Sequence, residues 1–266
     1  MKKVIINFFS LPSLYFLLFA FIQFSCNKKE IITPLLLSDL ESAKNPAPKP
    51  NLSAGLFAYY PFNGNTNDAS GSFLHGTPQN VTLTTDRRGK RNAAYFFNNK
   101  LGDARITIPG DARFSLDGDF TIAYWVLLTE FTTNNIETDP FISILYQRAK
   151  WAFNTTKTSI NPLVFTMGFG AIYVTPQSVG VAGETKLNAW KHCIVSYHKS
   201  SGTIRYYFNG ILAKEQTGLD LGLSLTDIEV TIGGNYNFTG LVGKIDEVRF
   251  YNRAITAAEA SALAKL

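Results

Sequence analysis

The sequence predicts an all-β fold, a sandwich of two antiparallel sheets with a short C-terminal helix. Three observations predict it. From Leu56 onward, aromatic and β-branched runs are separated by clusters of Gly, Asn, Asp and Pro, the pattern of many short strands. One of these runs, Phe120–Val126, alternates Phe, Ile, Tyr and Val against Thr, Ala and Trp, so neither face is polar and the strand is expected to be central and covered on both sides. The third is Phe208-Asn-Gly-Ile211, where Asn209-Gly210 can adopt the positive φ angles of a tight hairpin between apolar strands.

Taken in chain order, the first element is a targeting segment. Lys2 and Lys3 form a positive start, Val4 to Phe24 is mostly apolar though broken by Asn7, Pro12 and Gln23, and Ser25-Cys26 closes the run. This is the grammar of a secretory signal. A cysteine directly after the small residue suggests a bacterial lipoprotein, cut after residue 25 and lipidated on Cys26. Gln23 and Phe24 depart from the Leu and small residue expected before such a cut. The same run is roughly long enough for an uncleaved membrane anchor, but Pro12 and the Ser-Cys ending favour processing. The expected address is the bacterial cell envelope, as an outer-membrane lipoprotein facing the periplasm or the surface.

Residues 26–54 read as a tether, charged at Asn27-Lys-Lys-Glu30 and Pro-rich at Asn45-Pro-Ala-Pro-Lys-Pro-Asn51, hence extended and semi-stiff. A short helix over Leu35–Lys44 fits the pattern there. Residues 55–266 form the folded domain, and about 210 residues suffice to bury a core. They need to, because the chain has 2 cysteines. With Cys26 lipidated, Cys193 has no partner and packs as a small hydrophobe.

Strands are expected around Leu56–Tyr60, Ala93–Phe97, Arg105–Ile108, Phe120–Leu128, Ile142–Tyr146 and Leu163–Met167. Further strands are expected around Ile172–Thr175, His192–Tyr197, Thr203–Phe208, Leu212–Gln216, Glu229–Ile232 and Leu241–Tyr251. Trp125 and Trp190 fall inside strand text and are expected to be buried. Thr256 and Glu259 form a capping box, and the alanines and Leu263 that follow favour a helix over one end of the sandwich. The formal charge of +5 becomes +3 without Lys2 and Lys3. The densest basic patch, Arg87-Arg88 with Lys90-Arg91, sits in turn text and reads as a solvated loop, so nucleic-acid binding is not expected.

Two phrases then carry a resemblance. Leu56-Phe-Ala-Tyr-Tyr-Pro-Phe-Asn-Gly-Asn-Thr-Asn-Asp-Ala-Ser-Gly71 and Gly240-Leu-Val-Gly-Lys-Ile-Asp-Glu-Val-Arg-Phe-Tyr-Asn-Arg-Ala-Ile-Thr256 resemble the start and end of laminin-G-like jelly-roll domains, within the concanavalin A-like lectin/glucanase fold. The runs from Val81, Ala93, Asp119, Trp190 and Ile204 are similar to the family's strand phrases, in the family's order. The resemblance covers roughly residues 55–260 and implies a two-sheet antiparallel jelly roll. It also implies a structural calcium between the loop after the first strand and the loop near the last, which offers Asn63, Asn65, Asp68 and Asp246. Calcium takes several hard oxygens of these types. The same residues also suit turns, and Asp246 and Glu247 can instead point to opposite sides of a strand, one pairing with Arg249 or Lys244. The sequence departs from the family at Ser72-Phe-Leu-His75 and at Phe96-Phe-Asn-Asn99.

No catalytic pattern stands out. Glucanases of this fold carry Glu-x-Asp-x-x-Glu on one strand, where alternation puts the acids on one face. Glu137-Thr-Asp139 starts that way, but Pro140 follows. Asp117 and Asp119 flank Gly118 in turn text. His75, His192 and His198 have no zinc spacing. Binding needs only exposed aromatics beside polar groups. With 12 Tyr, 21 Phe and 3 Trp, most aromatics must be core, but Trp151, Tyr173, Tyr236 and Phe238 lie among polar loop residues. The expectation is a lipid-anchored envelope module that recognises a glycan. The alternatives are an adhesion or structural protein that recognises a protein partner, and a divergent glycoside hydrolase.

Overall fold

In the computed structural model, described residues are 49–98, 103–130, 141–147, 151–156, 164–169, 181–182, 186–221, 229–234 and 240–266. Cys26, the expected helix at Leu35–Lys44, the expected strand at Ile172–Thr175, and Tyr173, Tyr236 and Phe238 lie outside them.

In chain order the strands are β1 Leu56–Tyr60, β2 Thr77–Gln79, β3 Val81–Thr84, β4 Ala94–Asn98 and β5 Arg105–Ile108. Then come β6 Phe120–Leu128, β7 Phe141–Gln147, β8 Trp151–Thr156, β9 Val164–Phe169 and β10 Val181–Ala182. Last are β11 Trp190–His198, β12 Thr203–Phe208, β13 Ile211–Gln216, β14 Val230–Ile232 and β15 Val242–Tyr251, with helix α1 at Ala257–Leu263. They form two antiparallel sheets. The first runs β13-β12-β11-β6-β15-β4-β3, with β1 beside the C-terminal half of β15. The second runs β10-β9-β8-β7-β14-β5-β2.

β6 is central, between β11 and β15, as its doubly apolar pattern predicts. Phe120, Ile122, Tyr124, Val126 and Leu128 enter the main core together with Ile106, Ile108, Val230 and Ile232 of the second sheet. Each such fully buried side chain contributes about 1.5–3 kcal/mol of hydrophobic stabilisation. On the opposite face, Ala123 joins Ile194, Tyr207, Tyr251, Ile255, Ala260 and Leu263 in a second cluster. The helix therefore lies against the outer face of the first sheet rather than over an end of the sandwich.

Two local signals take the predicted form. Asn209 (φ 50°) and Gly210 (φ 79°) turn β12 into β13. A Cβ on Gly210 would lie 2.9 Å from the Ser261 Cα, so the turn lets α1 approach closely. At the helix start, Glu259 N donates to Thr256 Oγ1 at 3.2 Å, and Thr256 N donates to Glu259 Oε2 at 2.8 Å. Burial opposes the charge on Glu259, but hydrogen bonds from Arg253 and Thr256 outweigh it and hold the carboxyl below its usual range.

Other elements differ from expectation. Trp151 opens β8, opposite Gln147 and Phe169, rather than lying in a loop. The run Trp-Ala-Phe-Asn-Thr-Thr is three apolar residues followed by three polar ones and carries no alternation, and it is a strand because β7 and β9 supply pairing on both sides. β2 and β10 are short strands with little sequence signal of their own. Trp125 and Trp190 are half-buried, not buried, because their side of the first sheet is the outer one. Cys193 points into the core, where burial pushes its thiol up to about 12 against the influence of Lys191 and Tyr124. It is an inert packing residue.

Candidate functional site

An open groove of about 320 Å³ runs along the segment that enters β6. Arg113, Leu116, Asp117, Asp119, Tyr251 and Asn252 are among its walls. The segment is shaped by a 3₁₀ turn, Ala112–Ser115, capped by the Asp111 side chain on Arg113 N and closed by Leu116 at φ 54°. Arg113 is held as a fork. Its Nε and Nη2 donate to Asp111 at 2.7 and 2.8 Å, and its Nη1 donates to Ser72 Oγ at 2.8 Å. Asp119 Oδ1 accepts from Lys199 N at 2.8 Å, and Lys199 Nζ donates to the Asp117 carbonyl at 2.5 Å. The groove is thus walled by Arg113 and Asp119, whose described hydrogen bonds run to the protein itself, beside the nearly buried Leu116 and Tyr251.

The predicted oxygen ligands are all described, and each has another task. Lys90 Nζ donates to Asn63 Oδ1 at 2.5 Å, and Asn67 N donates to Asn65 Oδ1 at 2.9 Å. Asp68 is buried and organises its loop. Its Oδ1 accepts from Tyr59 N and Ser70 N, and its Oδ2 accepts from Leu74 N and Ser70 Oγ. Burial works against its charge, but these bonds win and hold its carboxyl low. Asp246 pairs with Arg87. Calcium needs several bare oxygens turned on one point. As placed, the side-chain oxygens of Asn63, Asn65 and Asp68 accept hydrogen bonds from the protein itself, while Asp246 Oδ1 is buried without a partner. Among the described residues no group of three or more His, Cys, Asp or Glu converges as metal ligands would.

The family model described as the concanavalin A-like lectin/glucanases superfamily, of laminin G type, matches residues 100–261. The chain belongs to that superfamily. No individual curated protein sequence matches it. Among solved structures, domain 4 of the extracellular GH43 arabinanase AbnA from Geobacillus stearothermophilus, in complex with arabinotriose, is similar at a TM-score of 0.60 and 19% identity, over 79% of this chain and 98% of that one. The binding domain of botulinum neurotoxin serotype D/C VPI 5993 is similar at a TM-score of 0.60 and 16% identity, over 81% of this chain. The binding domain of botulinum neurotoxin DC in complex with SialylT is similar at 0.59 and 13%, also over 81%. The match spans about half of those toxin domains, 53% and 52%. At these identities the likeness shows the shared fold.

The outer face of this lectin/glucanase sandwich holds a buried polar cluster. In β15, Asp246 lies opposite Trp125 and Arg249 lies opposite Ala123, so two residues bulge where β6 has one. Glu247 adopts φ 56° there. The bulge turns Asp246 and Arg249 to the same outer face and sends Glu247 toward Tyr59. Arg249 Nη2 pairs with Glu247 Oε2 at 2.5 Å, Tyr59 Oη donates to the same oxygen at 2.8 Å, and the Arg249 guanidinium lies 4.1 Å from the Tyr59 ring centre. Arg87 reaches in from the loop after β3. Its Nη1 sits 2.7 Å from Asp246 Oδ2, and its guanidinium lies 4.9 Å from the centre of the Trp125 ring. That corrects the expectation of a solvated basic loop for Arg87 alone, since Arg88, Lys90 and Arg91 are exposed as expected. Trp125 in turn stacks on His192, with ring centres 4.9 Å apart.

The electrostatics follow from this packing. His192 is fully buried, and burial together with Arg249 and Arg87 pushes it down to about 3, so it is neutral. Burial pushes Asp246 up to about 7, with Glu247 adding to the rise and Arg87 opposing it. Asp246 Oδ1, Trp125 Nε1 and both His192 ring nitrogens are buried without a hydrogen-bond partner. Sequence reasoning offered the pairing of Glu247 with Arg249 but missed Arg87, because Arg87 and Asp246 are 159 residues apart. The signal available was the arginine-rich turn itself.

Proposed function

We propose that this chain is a lipid-anchored module of the bacterial cell envelope that binds carbohydrate without cleaving it. One observation carries the reading most directly: an arabinanase domain matched over 98% of its length holds arabinotriose on the same fold. The groove beside β6 supports it, with the polar residues Asp117 and Asn252 among its walls. The non-catalytic part rests on the occupation of the carboxylates. Asp68, Asp119, Asp246, Glu247 and Glu259 all accept structural hydrogen bonds or pair with arginine. Trp151, Tyr173, Tyr236 and Phe238 remain candidates for aromatic contact. A protein ligand is the second reading, since one toxin binding domain of this fold is in complex with rat synaptotagmin II.

A glycan array with the purified protein tests the binding. The expected result is weak, selective retention of a polysaccharide, the same with and without calcium, and no release of reducing ends from it. An empty array defeats the carbohydrate reading. Calcium-dependent binding defeats the assignment of Asn63, Asn65, Asp68 and Asp246 to purely structural tasks. Reducing ends that vanish in a carboxylate variant would make the protein a hydrolase.

The anchor rests on Lys2-Lys3, the apolar run and Ser25-Cys26. Cys26→Ala is expected to abolish metabolic lipid labelling and to move the protein out of the membrane fraction. Undiminished labelling of that variant would remove the lipoprotein reading.

A further inference from the structure

We infer that Phe73 and His75, on the loop between β1 and β2, form a sugar-stacking platform beside the groove. The inference rests on the carbohydrate reading and gives it a location that the four predicted aromatics do not include.

Phe73 is 80% exposed. Single exposed apolar residues are common, so exposure alone decides nothing. The backbone beneath it is more telling. Phe73 sits at φ 59°, in the left-handed region that costs a bulky L-residue energy and favours glycine. A loop free to choose would relax this residue or bury the ring. Here it can do neither, because both flanking residues are pinned. Ser72 Oγ accepts from Arg113 Nη1. Leu74 is buried, its N–H donates to Asp68 Oδ2, and its carbonyl accepts from Tyr60 Oη at 2.7 Å. Ser70 N donates to Asp68 Oδ1 at 2.8 Å. The fold therefore holds an aromatic ring out in water on a rigid, strained mount.

The second observation is a directed polar group at the ring. His75 lies edge-on to Phe73, with ring centres 6.2 Å apart and planes at 87°. Asp68 N donates to His75 Nδ1 at 3.1 Å, so Nδ1 is the acceptor and Nε2 carries the proton. His75 is exposed. An aromatic face thus stands beside a donor of fixed tautomer, on a loop tied through Ser72 to the groove residue Arg113. Sugars need this pairing of an apolar ring face with directional hydrogen bonds. A protein partner needs far more apolar area than one ring supplies.

Affinity electrophoresis of the intact protein in gels carrying arabinan, xylan, mannan or soluble glycol chitin tests the inference. For a polysaccharide that retards the wild type, Phe73→Ala is expected to weaken binding about tenfold, and Phe73→Trp to keep it. Phe73→Gly is expected to lose binding yet raise the melting temperature, because glycine relieves the backbone strain. Unchanged binding by Phe73→Ala, with loss in Trp151→Ala, overturns the platform and leaves the carbohydrate reading standing. No retardation of the wild type by any of these polysaccharides overturns both. Wild-type binding to purified extracellular matrix proteins instead, lost in Phe73→Ala, would make the loop a protein contact and overturn the sugar assignment.

Discussion

Arg87→Ala is expected to destabilise the fold by about 3–5 kcal/mol, the effect of removing one partner from a buried ion pair. The two side chains are 9% and 2% exposed and meet at 2.7 Å. Removing the guanidinium leaves the Asp246 carboxylate buried and takes a cation from the Trp125 ring. Urea unfolding of the wild type and variant measures the loss. Two controls separate the pair from simple packing. Replacing both partners, as Arg87→Met with Asp246→Leu, is expected to recover most of the stability, since an apolar pair needs no solvation. The deficit should also depend on pH. The folded-state value of Asp246, pushed up to about 7, lies above its unfolded value near 4. Its protonated form is therefore favoured by folding. That contribution is fully present below the unfolded value and is lost as pH rises through the folded one. Without Arg87 the folded value rises further, so the variant should fall furthest behind the wild type at pH 8 and recover toward pH 5. A pH-independent deficit under 1 kcal/mol would show that Arg87 is a surface residue after all.

What the sequence made legible was local. β6 shows in seven consecutive residues, the β12–β13 turn in two, and the α1 cap in Thr256 and Glu259, because each signal and its structure share one stretch of chain. The bulge at Glu247 is different. It exists because β15 must pair with β6 on one side and with β4 and then β1 on the other, and no short pattern encodes that. Arg87 is harder still, since its partner lies 159 residues away and the turn around it has the composition of a solvated loop. Asn63, Asn65 and Asp68 show the opposite difficulty. Side chains that ligate calcium are those that accept backbone N–H groups in turns, so composition alone left both readings open. Phe73 carried one legible clue, the departure from the resembled family at Ser72-Phe-Leu-His75. Its positive φ and its exposure are properties of the folded loop.

The second large effect is expected at Gly233, just after β14. A Cβ there would lie 2.1 Å from the Phe97 ring, and the backbone sits at φ 87°. Gly233→Ala therefore meets two costs at once. The left-handed backbone costs an L-residue about 1–2 kcal/mol. Overpacking a filled core typically costs about 1–3 kcal/mol more. Neither is easily relieved. Phe97 is fully buried in β4 of the first sheet, while Gly233 follows a strand of the second, so the ring spans the sandwich and fills the space that the missing side chain leaves. Gly233 is also anchored, since its carbonyl accepts from Leu241 N at 2.7 Å. A loss of about 3 kcal/mol in urea unfolding is expected. The two costs can then be separated. Phe97→Leu on its own should be destabilising through the cavity it leaves, but in the Gly233→Ala background it should cost much less or even help, because the added methyl occupies part of that cavity. Neighbours that share a space couple in this way, whereas independent sites add. The backbone share should persist in the double variant. Simple additivity of the two substitutions would mean that the ring and the glycine do not meet, and that the sheets pack differently around β14.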